Sequence, residues 1–478
     1  MRTPYALGIL FLLAAFSGTV WSQPVTIEVS SDGHETAVVH KEATDGMAFS
    51  RGGVPYGTAP DWVNTVRMQV GGLQAVDVNN DGGVDVVVGC YHSQSYPPYD
   101  DWENMIYFNV GGQLETVASW ISTDEKSTTD VQVADFNMDG FPDVFAANGD
   151  FSMDPSVIYF GGPTGPSTTP TWMTGLSPRA WAVGSAAFDI DHDGDIDLVT
   201  CNQGNSPDDP YRPIYIFYNY DGMLSALPGW QSAEISIQNS VAFADYDGNG
   251  WEDMAIAKWS NFQTGIYRNS GGTLQTVPFW TVGNTDSEKG IGWADVDGNG
   301  WPDLAVGRSP TRLYTNEDGV LTPTWEAVGS YFGHSELRFC DVDRDGDPDL
   351  AEVHFSNGKV QIYQNNDGVL DASPTWIYDS PSVGTAIAFG DVNGNHWPDL
   401  VCGFSGEPCV VVFYNAGPDC QGDLNGDDTI NISDLATLLG SYGTQTTNYY
   451  AGELTGDGWI NLADLAELLS LYGTNCEP

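Results

Sequence analysis

The sequence contains few basic residues. Lys and Arg together number 15, against 65 Asp and Glu, among 478 residues, which gives a formal net charge of −50. Because a nucleic-acid-binding protein needs a basic surface, this balance argues against nucleic acid as a partner. Hydrophobic residues make up 41% and aromatic residues 12% of the chain, and this content excludes general disorder.

Long apolar runs are confined to the N-terminus. Arg2 is followed by an apolar run over residues 5–16, and Val20 and Ser22 occupy the third and the first position before a favourable cleavage point. This arrangement is typical of a secretory signal peptide, and the run is too short to make a good membrane span. We therefore predict a signal peptide at residues 1–22 and a secreted, extracellular protein without a transmembrane segment.

Cysteine is scarce, with seven residues in the chain. Cys420 and Cys476 bracket the last segment, and we expect a disulfide between them that ties its ends together. Cys402 and Cys409 flank a Gly-rich turn, where a local bridge can form. The odd number leaves at least one other cysteine without an internal partner, and we expect the remaining three to be small buried apolar residues. These three are Cys90, Cys201 and Cys340.

Signatures of common enzymes are also missing. The seven histidines show no spacing such as His-Glu-x-x-His, and the chain has neither a Gly-x-Ser-x-Gly elbow nor a phosphate-binding loop. No residue stands out as catalytic, so a non-catalytic binding protein is favoured over an enzyme.

The most prominent feature of the sequence is an acidic nine-residue loop that occurs seven times, at intervals of 46 to 58 residues. Oxygen-bearing side chains occupy positions 1, 3, 5 and 9 of each copy. Calcium takes about six to eight oxygen ligands, and Gly near the middle of the loop permits the sharp turn that directs them inward. A catalytic carboxylate pair would be unique, whereas a structural metal site can repeat, so we predict Ca²⁺ binding. The predicted ligands are Asp77, Asn79, Asp81 and Asp85; Asp135, Asn137, Asp139 and Asp143; Asp189, Asp191, Asp193 and Asp197; Asp245, Asp247, Asn249 and Asp253; Asp295, Asp297, Asn299 and Asp303; Asp341, Asp343, Asp345 and Asp349; and Asp391, Asn393, Asn395 and Asp399.

Each loop lies between two short apolar runs and is followed by a hairpin phrase of the type Leu-Tyr-Thr-Asn-Glu-Asp-Gly-Val-Leu (residues 313–321). Each unit therefore supplies about four strands, which is one blade of a β-propeller. A Trp closes most units, and we interpret these residues as packing between blades rather than as sugar-binding platforms. They are Trp120, Trp172, Trp230, Trp280, Trp325 and Trp376.

The two ends of the repeat array complement each other. Trp62 ends a hairpin phrase that has no loop before it, and the seventh unit stops near Asn415 without its Trp strand. We expect the N-terminal strand to complete the last blade, because this closure removes an open sheet edge. We assign residues 23–416 to the propeller.

The seven loops, with Ala-Asp or Phe-Asp before them and runs such as Leu-Ala-Val-Gly after them, resemble FG-GAP/VCBS repeats. The resemblance covers about residues 45–416. It implies a mainly β fold, the seven-bladed, integrin-α-like β-propeller. This fold occurs in adhesion proteins, lectins and some polysaccharide-active enzymes, so it does not by itself fix a function.

The tail, residues 417–478, contains two copies of a twelve-residue loop with the ligand spacing of an EF-hand, each followed by a helix-like apolar run. A duplicated, Asp-ended loop-helix unit resembles a type I dockerin. The loops depart from the usual pattern at Asp428, Glu453 and Thr455. We predict Ca²⁺ ligands at Asp423, Asn425, Asp427, Thr429, Asn431 and Asp434, and at Glu453, Thr455, Asp457, Trp459, Asn461 and Asp464.

Three functions are compatible with this sequence. The first is a secreted, calcium-binding propeller that binds a glycan or protein and joins an extracellular assembly through its tail, with a cohesin-like or other extracellular protein as partner. The second is a polysaccharide lyase or glycoside hydrolase carried by a dockerin, and the third is a cell-surface adhesion protein. The ligand-contact candidates outside the repeat pattern are Tyr91, Tyr96, Tyr99, Arg179, Trp181, Trp259 and Phe262.

Overall fold

The computed structural model describes residues 26–29, 35–38, 54–64, 66–91, 103–149, 154–176, 180–206, 209–259, 262–283, 288–328, 335–418, 421–425 and 429–474. The chain divides into two compact units, Met1–Ser50 and Arg51–Pro478. The predicted signal peptide and the predicted Cys420–Cys476 disulfide lie outside the described residues.

The first unit contains the antiparallel hairpin of β1 (Thr26–Val29) and β2 (Glu35–Val38). The second unit begins with β3 (Trp62–Val63), β4 (Met68–Val76), β5 (Asp85–Cys90), β6 (Met105–Tyr107), β7 (Trp120–Ile121), β8 (Thr128–Ala134), β9 (Asp143–Asn148), β10 (Val157–Tyr159), β11 (Trp172–Met173), β12 (Trp181–Phe188), β13 (Asp197–Ser206), β14 (Asp209–Tyr211), β15 (Tyr215–Phe217) and β16 (Trp230–Gln231). It continues with β17 (Ile237–Ala244), β18 (Asp253–Trp259), β19 (Gly265–Tyr267), β20 (Trp280–Thr281), β21 (Gly290–Ala294), β22 (Asp303–Gly307), β23 (Arg312–Glu317), β24 (Val320–Glu326), β25 (Ser335–Cys340), β26 (Asp349–His354), β27 (Lys359–Tyr363), β28 (Trp376–Asp379), β29 (Val383–Gly390), β30 (Asp399–Gly406) and β31 (Val410–Phe413). The described part of the tail contains two helices, α1 (Ile432–Gly440) and α2 (Leu462–Leu471), with a short 3-10 helix (Tyr449–Ala451) between them.

The second unit is a β-propeller with five separate four-stranded blades, rather than the seven separate blades that the sequence predicts. These blades are β8–β11, β12–β16 with β14 as an extra strand, β17–β20, β21–β24 and β25–β28. The other eight strands form one sheet in the order β3-β31-β30-β4-β5-β6-β7, with β29 beside β30. We call each unit of four antiparallel strands a meander, whether or not it is a separate sheet. Strands β4–β7 form one meander of this sheet, and β29, β30, β31 and β3 form another. The two merge because Ser405 and Gly406 at the end of β30 pair with Gln69 and Met68 at the start of β4.

The second strand of a meander is buried on both faces, since neighbouring blades cover it. Every residue of Asp85–Cys90, Asp143–Asn148 and Asp349–His354 is buried. This environment explains why these strands read as continuous apolar runs rather than as an alternating pattern.

The first strands of the meanders lie side by side in a closed circle. β4 contacts β8, β8 contacts β12, and the series continues through β17, β21, β25 and β29 back to β4. Glycine permits this approach at Gly72, where an added Cβ would lie 2.5 Å from the Asp130 Cα atom of the next strand. Residues from all of these strands line a central cavity of about 750 Å³.

The tryptophans that end the units pack between meanders, as predicted. Trp120 meets Tyr159 edge to face with 5.3 Å between ring centroids, and Trp325 meets Tyr363 in the same way at 5.3 Å. Such aromatic pairs contribute about 0.5–1.5 kcal/mol beyond the area they bury. Each Trp therefore acts as a contact from one meander to the next.

The short strand β3 lies beside the last strand of the ring. Trp62 pairs with Val412 and Val63 with Val411. The Trp62 ring also meets Tyr107 of the first meander at 5.2 Å. These contacts cover the free edge of β31 and join the first meander to the last.

Cys402 and Cys409 form no disulfide, so the local bridge that the sequence allowed is not present. The two side chains belong to different hydrophobic clusters, because Cys402 packs with Val353 and Phe404 whereas Cys409 packs with Val70. In the strand register Cys402 lies opposite Val411, not opposite Cys409. Cys201 is fully buried, as expected of a small apolar residue.

The tail helices pack on each other through Leu438 and Leu468, which are fully buried. Leu435 and Leu465 are partly buried in the same cluster. The neighbouring Leu439 and Leu469 do not pack fully between the helices, because both side chains are about half exposed. Among the described residues, no helix has the length and apolar character needed to cross a membrane.

Candidate metal centres

Each acidic loop joins the first strand of a meander to the second. In the third loop, Asp189 directly follows β12 and Asp197 is the first residue of β13. Positions 1 and 9 are therefore fixed by two paired strands, and the residues between them form a tight turn. Position 4 of this loop, His192, and position 6, Gly194, have φ angles of 56° and 96°. The left-handed backbone at position 6 explains the frequent Gly there.

Backbone hydrogen bonds shape the loop around its first aspartate. In the third loop the N–H groups of Asp193 and Gly194 donate to Asp189 Oδ1 and Oδ2 at 3.2 and 3.0 Å. The N–H of Ile190 donates to Asp197 Oδ2 at 3.2 Å. Bonds from positions 5 and 6 to position 1 recur in all seven loops. The loops thus share one geometry.

Four loops bring the carboxylates of positions 1, 3 and 9 together, with one oxygen of each residue within 4.8 Å of the others. These groups are Asp189, Asp191 and Asp197; Asp245, Asp247 and Asp253; Asp295, Asp297 and Asp303; and Asp341, Asp343 and Asp349. The position 5 side chains are not part of these triads.

The first, second and seventh loops, which lie within the described ranges, form no such triad. Position 3 is Asn79, Asn137 or Asn393 in these loops, so the third carboxylate is replaced by an amide. In the first two loops that amide donates to the position 5 carboxylate, at 3.1 and 3.0 Å. The first and second loops still have three acids among positions 1, 3, 5 and 9, as many as the fourth and fifth loops, whereas the seventh has two.

The ninth position of the loops is electrostatically unfavourable for a bare carboxylate. Burial, with a contribution from Asp191 and Asp193, raises the pKa of Asp197 to about 7. Burial also raises the pKa of Asp253 to about 7, and burial together with Asp343 raises that of Asp349 to about 9. Desolvation and like charge both disfavour the ionised form, and a bound cation would reverse both effects.

The residues fit a hard divalent cation. Two buried carboxylate oxygens, Asp191 Oδ1 and Asp253 Oδ2, have no hydrogen-bond partner among the described residues. A buried carboxylate oxygen ordinarily has a partner, and a metal ion supplies one. The donor set consists of carboxylate and amide oxygens without sulfur or imidazole, which suits Ca²⁺, Mg²⁺ or Mn²⁺ rather than softer metals.

Sequence reasoning missed an asparagine that links a loop to its neighbour in six of the seven meanders; in the second meander Gly161 takes its place. In the fifth meander the Asn316 N–H donates to Asp303 Oδ1 at 2.7 Å, and the Asn316 amide donates to the Tyr246 carbonyl of the preceding loop at 2.8 Å. The equivalent links are made by Asn109, Asn219, Asn269, Asn365 and Asn415. The recurring Tyr-x-Asn in the hairpin phrase was the available signal, but it indicated only a hairpin.

The tail loops are described in part. Asp427 lies outside the described residues. In the first loop the Leu424 N–H donates to Asp434 Oδ1 at 2.9 Å, and Asn431 caps α1. The second loop brings Glu453, Asp457 and Asp464 within 4.8 Å of one another.

The remaining predicted positions of the tail loops have structural contacts of their own. The Thr455 hydroxyl donates to Asp464 Oδ1 at 3.1 Å, and Asn461 caps α2. Trp459 contributes its backbone carbonyl, which accepts from the Asn461 amide at 3.0 Å. The predicted positions that remain lie in the first loop, where Asp423 is buried and Asn425 and Thr429 are half-buried.

Three of the ligand-contact candidates, Tyr91, Trp181 and Trp259, line the central cavity. Phe262 instead packs edge to face on Tyr211, with 5.2 Å between ring centroids. Tyr96, Tyr99 and Arg179 lie outside the described residues.

Comparison with known proteins agrees with this architecture. The family model described as "FG-GAP-like repeat" matches residues 77–146, 136–200, 189–256, 245–306, 295–352 and 341–402. No curated protein matches the chain. Two solved structures, described as "Crystal structure of BBS1N in complex with ARL6DN, soaked with lead" and the same complex "soaked with mercury", are similar to this chain with a TM-score of 0.51 and 14% identity. Each covers 76% of this chain, and the match spans 96% and 97% of those chains, which shows a shared fold. The repeat matches extend from residue 77 to residue 402, so this chain belongs to the FG-GAP-like repeat family.

Proposed function

We propose that this protein is an exported binding protein whose propeller is held in shape by calcium ions in its acidic loops. The observation that carries the proposal is the repeated carboxylate triad, in which positions 1, 3 and 9 approach within 4.8 Å in four loops. A catalytic pair need occur only once, whereas a structural site recurs wherever a blade needs it. An FG-GAP propeller suggests a binding or adhesion-type function, and the lack of a unique acid–base pair in the loops favours binding over catalysis.

Calcium suits these loops better than magnesium. Four side-chain oxygen positions in a nine-residue turn, together with nearby carbonyls, offer the many oxygen ligands that Ca²⁺ accepts in flexible geometry. Mg²⁺ demands a near-octahedral shell and usually keeps several waters. Calcium is also abundant outside cells, where the predicted signal peptide would direct the protein.

We further propose that the ring has seven blades, two of which merge into the eight-stranded sheet. Strands β4–β7 form one meander, and β29, β30, β31 and β3 form another. Among the residues that the structure describes, two residue pairs join them. The contact circle of first strands, β4, β8, β12, β17, β21, β25 and β29, supports the same count.

The tail is proposed to be a dockerin-like module that attaches the ring to an extracellular partner, for example a cohesin-like protein. Its two units expose the same apolar positions, which supports a duplicated contact face. Ile432 and Leu462 are 64% and 68% exposed. Leu439 and Leu469, and also Tyr442 and Tyr472, are each about half exposed. Binding patches are usually apolar at their centre, so this face is the proposed partner surface.

Calcium titration of the full chain by isothermal calorimetry tests the metal part of the proposal. The wild type should bind several calcium ions, and Asp191→Asn and Asp247→Asn should each lose or weaken one site. Asp379→Asn, which changes an exposed strand residue outside the loops, is the matched control and should titrate like the wild type. A chain that binds no calcium would overturn the proposal.

Binding of purified cohesin domains to the full chain tests the tail. Combined Ile432→Asp and Leu462→Asp should abolish binding. Combined Val110→Asp and Val277→Asp places the same charges on exposed apolar positions of the ring and should leave binding unchanged. If no cohesin binds, or if both double variants bind equally, the tail proposal fails.

A further inference from the structure

The central cavity carries residues that break the repeat pattern. One position in the first strand of each meander lies five residues before the first Asp of the loop. In five of the seven meanders this position holds a small uncharged residue, so the fold does not require a charge there. The residues are Gly72, Asp130, Gly184, Ser240, Gly290, Glu336 and Ala386. Asp130 and Glu336 are the exceptions, and the nearby cavity-lining residues Lys289 and Arg338 add two positive charges.

These four charged groups form a balanced set. Arg338 Nη2 lies 2.7 Å from Glu336 Oε1, and Arg338 also attracts Asp130 electrostatically. Lys289 Nζ lies 5.0 Å from the centre of the Phe355 ring and attracts Glu336. Burial raises the pKa of Asp130 and lowers that of Lys289. The formal charges of these two acidic and two basic side chains cancel, so the cavity can accommodate a ligand without net charge.

Aromatic side chains stand beside these polar groups. Trp181 and Trp259 line the cavity, as does Phe355. A pyranose ring has apolar C–H faces that stack on aromatic rings. Its hydroxyls both donate and accept hydrogen bonds, which matches a wall that alternates carboxylates with cationic donors. The volume of about 750 Å³ lies in the range of small-molecule sites, about 300–1,000 Å³.

We propose that the central cavity is a binding site for a neutral oligosaccharide, which stacks on Trp181 and Trp259 and bonds through its hydroxyls to Asp130, Glu336 and Arg338. A neutral sugar is favoured over an acidic one because the local charges balance and the rest of the molecule is strongly acidic, with a formal net charge of −50. The site rests on the proposed binding function of the ring, but it does not involve the metal loops.

The test is calorimetric titration of the full chain, saturated with calcium, with neutral tetrasaccharides of glucose, xylose and mannose. Galacturonate tetrasaccharide and an uncharged tetrapeptide serve as the competing ligand classes. At least one neutral sugar should bind, and Trp259→Ala and Glu336→Gln should each weaken its binding by about tenfold or more. Tyr220→Ala changes an exposed aromatic residue that does not line the cavity and should bind like the wild type.

Melting curves of each variant with and without calcium separate loss of the site from loss of the fold. If no tetrasaccharide binds a chain that calcium still stabilises, the cavity proposal is overturned while the proposed metal function stands. Binding of only the uronate or only the peptide overturns the assignment to neutral sugars. Equal affinity in the wild type, Trp259→Ala and Glu336→Gln would place the sugar outside the cavity.

Discussion

Arg344 of the sixth ring loop and Glu453 of the second tail loop form a buried ion pair, with side chains only 7% and 1% exposed. The Arg344 guanidinium also lies over the Trp397 and Tyr449 rings, 5.3 and 6.0 Å from their centroids. The N–H of Tyr449 donates to the Arg344 carbonyl at 2.7 Å. The tail is therefore docked on the ring. Glu453, where Asp is usual, is long enough to bond with its own loop at Asp457 N–H, at 3.0 Å, and with Arg344.

Replacing Arg344 by Met should loosen the tail from the ring. The change leaves the Glu453 carboxylate buried without its cation, which costs about 3–5 kcal/mol. Hydrogen exchange of residues 429–474 in the full chain should accelerate, while exchange of the ring strands should not. Arg312→Met removes an Arg from a more exposed pair with Glu326 and should have little effect. Equal exchange in both variants would show that the Arg344 pair does not hold the tail.

Asn365→Ala should destabilise the ring by about 1–3 kcal/mol, since it removes a buried amide that donates to the Val296 carbonyl of the preceding loop at 2.7 Å. The adjacent Asn366 is exposed, so Asn366→Ala is a matched control with an expected change of less than about 0.5 kcal/mol. Urea unfolding of the calcium-saturated protein measures both. A difference below the error of that measurement would argue against a structural role for the asparagine links.

Stability should depend on pH through Glu336. Burial raises the pKa of this carboxyl to about 7, with Arg338 and Lys289 acting against the rise and Asp130 adding to it. The folded state therefore holds the proton more tightly than the unfolded chain, whose Glu pKa is about 4.3. This contribution is fully present below about pH 4 and is lost as the pH rises to about 7, by at most about 4 kcal/mol.

Glu336→Gln should remove that loss, so the stability difference between variant and wild type should change between pH 4.5 and 7.5. Glu317→Gln alters an exposed glutamate at the end of β23 and should follow the wild type. Parallel stability curves for Glu336→Gln and the wild type would contradict the assigned pKa shift.

Local repetition made much of the fold predictable. Seven copies of one loop, each with a strand on either side, predict blades, and the Trp that ends each unit predicts inter-blade packing such as Trp120 on Tyr159. Features that depend on the meeting of distant segments were not predictable. The pairing of Gly406 with Met68, which merges two meanders, and the separation of Cys402 from Cys409 depend on strand register.

The same distinction applies to the candidate sites. The positions of the acidic loops could be predicted because their spacing is local. Their arrangement in space differs between loops with the residue at position 3, and metal binding by them stays a prediction. Arg344 and Glu453 are 109 residues apart, and no local pattern joins them. The charged lining of the cavity becomes visible only when the seven first strands are aligned with one another on the loops that follow them. In that alignment Asp130 and Glu336 stand where most other strands have small residues.

The loops should fill with calcium in an order set by their charge. The third loop has Asp189, Asp191, Asp193 and Asp197, whereas the seventh has only Asp391 and Asp399 as acids. Fewer carboxylates give weaker calcium binding. The sixth loop has the same four ligand acids as the third but carries Arg344 at position 4, so the third loop should fill first and the seventh last. Site-resolved occupancy in crystals grown at limiting calcium measures the order. Occupancy of the seventh loop before the third would contradict this ranking.

Thermal unfolding of the full chain in excess calcium and after chelation tests the central claim most directly. If each loop binds at about 0.1 mM and free calcium is about 1 mM, each site adds roughly 1.4 kcal/mol. Seven such sites contribute on the order of 10 kcal/mol, which is comparable to the stability of a whole domain. We therefore expect a large fall in melting temperature on chelation and its recovery when calcium is restored. Superimposable melting curves with and without calcium would contradict a calcium-stabilised ring.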